Sequence, residues 1–277
     1  MDYYESDSPP AGVAEGESLT VEQAIANLHS QDYSLRYYAA WWIGRFRVKE
    51  PAAIAALIAA LQEESEQTKI GDYSLLRNAA RALGKLGEKQ ALPALIRCLE
   101  CADYYVREAA AQALEMLGDR DSIGPLIKLL DGGAVAAVRV PGKSHLVQPH
   151  DSVIEALGTL QATEAIPLIS PFLEHSVERV QYAAARAMNQ LTGERVYGER
   201  LVSALKGDNL QLRRSALMDL GAIGYLPAAQ AISETLAENS IKLIALKGVL
   251  EHHLNQQESL SLSDDAIRVM DLMDSLL

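Results

Sequence analysis

One frame, returning along the whole chain, leaves little freedom in what this sequence can fold into. Leu76-Arg77-Asn78-Ala79-Ala80-Arg81-Ala82-Leu83-Gly84 and Val106-Arg107-Glu108-Ala109-Ala110-Ala111-Gln112-Ala113-Leu114 are two copies. Ser34-Leu35-Arg36-Tyr37-Tyr38-Ala39-Ala40-Trp41-Trp42-Ile43-Gly44 is an earlier one, with tryptophan where the later copies carry small residues. Aligned on their Ala/Leu core, six frames have anchor positions Arg36, Leu76, Arg107, His150, Gln181 and Arg213, at intervals of 40, 31, 43, 31 and 32 residues. The short interval fits two helices and two turns. Between the frames run second apolar stripes, such as Ile54, Leu57, Ile58 and Leu61, then Leu95, Ile96 and Leu99. Pro51 suits a helix start, where its missing donor would be unpaired anyway. Repeating helix pairs of this length predict an all-α chain, an α-solenoid in which each pair covers its neighbour's apolar face. About six or more repeats would form a single curved superhelix over residues 18–277, behind a flexible acidic tail at 1–17.

The two long intervals hold insertions. One is the polar stretch Glu63 to Gly71. The other is Asp131 to Pro149, punctuated by Gly132-Gly133, Pro141-Gly142 and Pro149; its Val135 to Val140 run could be extended. Long loops inside an array are usually functional or disordered.

Charge and composition narrow the partners. The net charge of −12 argues against a phosphate backbone, so nucleic acid is not expected. The N-terminus has neither a basic region nor an apolar run, and no stretch approaches the roughly 20 apolar residues of a membrane span. Two cysteines make no disulfide framework and fit a reducing compartment. A cytoplasmic protein is expected.

No catalytic motif stands out. There is no phosphate-cradling glycine loop and no nucleophile elbow. Cys98 and Cys101 lack the further ligands of a zinc site, so no metal is expected. Tyr37, Tyr38, Trp41 and Trp42 lie on one helix, Tyr38 with Trp42 on one face and Tyr37 with Trp41 on the next. They are either an enlarged end cap or a platform for a flat ligand or a partner protein. Arg77 and Arg81 share a face one turn apart, and Arg107 with Tyr104-Tyr105 is placed at the matching point of the next repeat. Such forks bind carboxylates, or pair within the array with Asp72, Asp103 and Glu108. His145, His150 and Asp151 lie in or just after the long loop.

The frame Arg-x-x-Ala-Ala-x-Ala-Leu, with Tyr105-Val106-Arg107-Glu108-Ala109-Ala110, resembles the phycobilisome-lyase class of HEAT-like repeats. Tyr37-Tyr38-Ala39-Ala40-Trp41-Trp42-Ile43-Gly44 is more specific and resembles the signature of the E-type subunits of heterodimeric phycocyanobilin lyases. The likeness covers roughly residues 20–250, with Ile43 standing where leucine is expected. It implies an enzyme active with an F-type partner. Together they would attach phycocyanobilin, their substrate rather than a cofactor, through a thioether to a cysteine of the phycocyanin alpha subunit. On that basis Tyr37, Tyr38, Trp41, Trp42, Tyr104 and Tyr105 become bilin- or partner-facing aromatics. Arg77, Arg81 and Arg107 become propionate or partner contacts. Asp72, Asp103 and Asp151 become candidates for the carboxylate that holds the pyrrole nitrogens protonated. A non-catalytic HEAT-repeat scaffold, or a bilin-detaching or isomerising relative, is the alternative.

Overall fold

The computed structural model describes residues 19–62, 72–256 and 262–277. The expected tail at 1–17 and the polar insert at 63–71 lie outside the described residues. Helices account for nearly all the regular structure within them, paired as the repeat frame requires. α1 (Val21–Leu28) and α2 (Tyr33–Phe46) are followed by α3 (Pro51–Ala60), α4 (Ser74–Leu86), α5 (Leu92–Cys98), α6 (Tyr104–Leu117), α7 (Ile123–Lys128) and the single turn α8 (Gly133–Ala136). Then come α9 (His150–Thr159), α10 (Ile166–Ile169), α11 (Glu178–Thr192), α12 (Arg195–Ala204), α13 (Leu210–Ile223), α14 (Ala229–Glu234), α15 (Asn239–Asn255) and α16 (Asp264–Asp274). Each frame read from the sequence is a helix of this series.

Local chemistry sets the ends. Thr20 closes a capping box with Gln23 at the start of α1. Asp32, Asp103 and Asn209 accept first-turn backbone N–H groups of α2, α6 and α13. α4 and α6 stop at Gly87 and Gly118, whose positive φ values of 72° and 67° belong to the left-handed region. Arg47 ends α2 in the same conformation at φ 53°.

The chain divides into two compact units, residues 1–131 with 137–156 and residues 132–136 with 157–277. In the first, α4 packs on α2 and α6 packs on α4. Glycine and alanine make that approach possible: a Cβ on Gly44 would stand 2.8 Å from Ala82 Cα, and one on Gly84 2.7 Å from Ala113 Cα. Helix axes this close admit no larger side chain on either partner. The core is alanine and leucine, including Ala79, Ala80, Leu83, Ala109, Ala110 and Leu114.

In the second unit, α13 packs between α11 and α15, and α15 packs on α16. Leu201, Leu217, Leu220, Ile232, Leu246 and Val249 fill the core. One core position carries a charge. Asp219, 1% exposed, pairs with Arg179 at 2.8 Å and with Arg186 at 3.6 Å, tying α13 to α11. Its place in the frame is held by Ala82, Ala113 and Ala187 in other repeats.

Among the described residues no helix is long and apolar enough to cross a membrane.

Candidate functional site

Four of the six anchor residues do a structural job. Arg36 Nε donates to Leu28 O at 3.0 Å, Gln181 Nε2 to His175 O at 2.6 Å, and Arg213 to Gly207 O at 2.6 Å and Leu236 O at 3.0 Å. Arg107 does the same with Cys101 O at 2.6 Å and Ala102 O at 2.9 Å. These side chains satisfy carbonyls between the helices of a pair. Arg107 thus spends two bonds on backbone carbonyls between the helices, where a propionate or partner contact was expected of it. The anchor alignment explains the difference: one residue after Leu76 comes Arg77, and one after Arg107 comes Glu108. Glu108, not Arg107, occupies the place of Arg77.

Counting one residue past the anchor gives Tyr37, Arg77, Glu108 and Asp151 in the first unit. Counting one turn further gives Trp41, Arg81, Gln112 and Glu155. These positions form a ridge across α2, α4, α6 and α9. Cross-bonds hold the ridge in step: Asn78 Nδ2 donates to Tyr37 O at 3.0 Å, and Gln112 Nε2 to Ser152 Oγ at 3.4 Å.

The ridge changes character along its length. On α2 the rings pair as Tyr38 with Trp41, stacked at 5.5 Å and 21°, Trp42 with Phe46 at 4.7 Å, and Tyr33 with Tyr37 at 6.1 Å. Tyr38 with Trp42 and Tyr37 with Trp41 share helix faces as expected, while the ring contacts run between neighbouring faces and along the helix. Trp42 is 9% exposed and belongs to the packing; Tyr37, Tyr38 and Trp41 are half-buried. On α4 the Arg77 guanidinium lies 5.6 Å from the centre of the Tyr105 ring. Its Nε is buried with no acceptor among the described residues, so a donor faces inward unused by the protein.

On α6 and α9 the ridge turns acidic. Glu108 is half-buried, and desolvation pushes its carboxyl up to about 7, reinforced by the nearby Asp151 charge and opposed by Arg81. Tyr104 donates a hydrogen bond to Glu108 and is itself held protonated, by burial first and then by the Asp151 and Glu108 charges. Asp151, 7% exposed, stands in the first turn of α9.

The other two expected carboxylates hold helix starts. Asp72 Oδ1 accepts from Ser74 N at 3.0 Å and from the Ser74 hydroxyl. Asp103 Oδ1 accepts from Val106 N at 2.9 Å as the N-cap of α6. That capping is where the structure spends both of them, while Asp151 lies on the ridge.

The long loop is not extended over Val135-Ala136. Gly132 and Gly133, both at positive φ, lead into the turn α8, and pairing begins later. Residues 138–147 form a hairpin. Val147 N donates to Val138 O at 3.0 Å, Val140 N to His145 O at 3.1 Å, and Arg139 bridges to Leu146. Arg107 clamps this hairpin, with Nη2 on Val147 O at 2.9 Å and Nε on Gln148 Oε1 at 2.8 Å. The clamp lays His145 flat on Tyr104, centroids 4.2 Å apart and planes at 17°, and edge-on to Tyr105 at 5.7 Å. Tyr104 and Tyr105 meet edge to face at 5.2 Å.

Sequence reading thus named Glu108 as an intra-array partner and His145 as a loop histidine without bringing either to the ridge. Glu108 was legible from the anchor alignment. His145 was not, because an arginine far back in the chain brings its hairpin to the helix. Cys98 is buried and its thiol is pushed up to about 12 by desolvation; burial also raises Cys101. Among the described residues no group of His, Cys, Asp and Glu is arranged for a metal.

Comparison with known proteins agrees with this fold. Residues 67–140 and 151–219 match the model of HEAT repeats, and residues 35–63 match that of the PBS lyase HEAT-like repeat. The chain is 66% identical over 263 residues, 95% of each chain, to the phycocyanobilin lyase subunit alpha of Nostoc sp. PCC 7120. It is 60% identical over 264 residues to the subunit of the same name from Synechocystis sp. PCC 6803, covering 94% of this chain and 97% of the relative. It is also similar to a chain in the solved complex of CpcE and CpcF of phycocyanin lyase from Nostoc sp. PCC7120. There the TM-score is 0.90 at 66% identity, over 95% of this chain and 97% of the other.

Proposed function

The chain belongs to the family of phycocyanobilin lyase alpha subunits, HEAT-like repeat proteins, and we propose that its first unit grips the bilin along the ridge of α2, α4, α6 and α9. It is one half of a heterodimeric lyase that works with an F-type subunit. The lyase attaches phycocyanobilin, through a thioether, to a cysteine of the phycocyanin alpha subunit. The nucleophile belongs to the substrate protein, so the lyase supplies binding, orientation and charge. No further cofactor is called for, and the reaction belongs to the cytoplasm.

The observation that carries this reading is the half-buried Glu108 carboxyl, with Asp151 beyond it and Arg81 and Arg77 before it. A linear tetrapyrrole is flat, carries two propionates and has pyrrole N–H groups. Arg77 and Arg81 suit the propionates, since guanidinium forks bind carboxylates bidentately. The exposed edge of Tyr105 and the half-buried Tyr37, Tyr38 and Trp41 offer faces for the rings. Asp151 suits the pyrrole nitrogens and favours their protonated form, which makes ring A more electrophilic. Glu108, part protonated near neutral pH, is the group able to hand a proton to the bilin as sulfur adds. Holding the bilin in place beside one thiol raises its effective concentration there and excludes wrong acceptors.

The test is co-expression of the chain with an F-type subunit, a bilin source and the phycocyanin alpha subunit. Covalent colour on the alpha subunit is expected. Partner binding with no covalent colour would mean a scaffold. Glu108→Gln, folded and bound to its partner, is expected to lower the attachment rate about 100-fold, the usual size of a lost acid–base group. Unchanged attachment by that variant would remove the acidic end of the ridge from the mechanism.

A further inference from the structure

The hairpin carries a group that the ridge alone does not provide. His145 Nδ1 lies 2.8 Å from Leu146 O. A carbonyl only accepts, so Nδ1 carries the proton and Nε2 is left as a lone-pair acceptor. The ring has a single setting, because it is sandwiched by geometry on two sides: flat on Tyr104 and edge-on to Tyr105. The hairpin that holds it is in turn fixed by two Arg107 bonds. Tyr104 and Tyr105 of α6 face it, Tyr104 in turn bonding Glu108, and Arg139 of the same hairpin is bonded to Ser144 O at 3.1 Å. A stacked imidazole of fixed tautomer, lying on the tyrosine that bonds the half-buried Glu108 acid, is the pairing that addition of a thiol to a double bond requires.

From this we infer that His145 is the base that deprotonates the incoming cysteine of the phycocyanin alpha subunit. The inference rests on the ridge reading above. The thiol proton passes to Nε2, and the thiolate forms the C–S bond at the exocyclic ethylidene carbon. The π pair of the ethylidene bond takes up a proton at the adjoining ring A carbon from the Glu108 carboxyl. The proton on Nε2 then returns through solvent to the Glu108 carboxylate. S–H has been added across one double bond, with nothing oxidised or reduced. A base matters because an ordinary thiol is mostly protonated at neutral pH, and the thiolate is the nucleophile. Arg107 acts through His145 as a positioning residue.

The experiment measures attachment by the reconstituted heterodimer, with phycocyanobilin and the unmodified alpha subunit, from pH 6.5 to pH 9 in about half-unit steps. His145→Phe keeps a stacking ring, and His145→Gln keeps a polar group in case the first variant folds poorly. Both are expected to attach about 100-fold more slowly near pH 7, with the deficit closing towards pH 9 as the thiol (pKa about 8.5) ionises unaided. Both should retain the absorbance change of phycocyanobilin on mixing with the heterodimer when the alpha subunit is left out. Wild-type rates at neutral pH, a deficit equal at every pH, or loss of the absorbance change in both variants would overturn the assignment. Failure of the ridge reading shows separately: Arg77→Ala and Glu108→Gln would then attach at the wild-type rate, and the base role would fall with it.

Discussion

Glu108 is half-buried at a place that disfavours its charge, so its position is also a statement about stability. Its carboxyl titrates near 4.5 when free of the fold and at about 7 within it. A raised acid contributes stability that is fully present below the lower value and lost as pH rises through the upper one. Between pH 5 and pH 8 the protein should therefore lose stability relative to Glu108→Gln, on the order of 2–3 kcal/mol. Chemical denaturation of both proteins at the two pH values measures it; a gap that stays constant would contradict it. The tryptophans divide in the same manner. Trp42 is packed against Phe46, so Trp42→Ala should cost about 3–5 kcal/mol in stability. Trp41 is half-buried against Tyr38, so Trp41→Ala should melt much closer to the parent yet attach bilin more slowly. The sequence marked all four rings of that stretch but not which one the core would take. That choice depends on what α4 places opposite them, which a single helix does not reveal. Glu108 could be read from residue counting alone, because neighbouring helices keep register.

At the scale of elements, helix positions were legible almost throughout, since alanine, leucine and terminal glycine recur with the spacing that helices need. The close contact of α4 and α6 gives a direct test. Gly84→Val would drive a branched side chain into Ala113, whose Cα a lone Cβ would already approach to 2.7 Å. Overpacking of this kind costs roughly 1–3 kcal/mol or more, and a thermal melt measures it. Gly87→Ala adds a Cβ with no neighbour within 4 Å, so the strain of its positive φ is all that it tests. The hairpin was the least legible element. Its strands are short, and what fixes it is a side chain on α6 instead of a local pattern. Arg107→Ala removes those bonds. Trypsin should then cut after Arg139 or Lys143 several times faster than in the parent, while α4 and α6 remain protected. Equal cleavage rates would mean that the hairpin holds without its clamp.

Over the whole molecule, 37 acidic side chains face 25 Lys and Arg, and the imbalance outweighs what its exposed ion pairs return. Pairs such as Lys247–Glu251 and Arg195–Glu199 are solvent-exposed neighbours on single helices, worth a few tenths of a kcal/mol each. Screening therefore relieves more repulsion than attraction. The melting temperature should rise by a few degrees as sodium chloride goes from about 20 to 300 mM. A fall would place the exposed pairs ahead of the charge imbalance. Repeat architecture and acidity were both legible from the sequence. The division of labour among the arginines was not, because anchor and ridge arginines differ by one residue and only packing tells them apart. One last feature concerns self-protection. A protein that handles an electrophile as reactive as an ethylidene bilin risks becoming its own victim. This chain has only two sulfhydryls, and the fold keeps both in their inert, proton-bearing form. The dye can wait on its carrier without being captured there, and leaves for the one foreign sulfur that arrives activated.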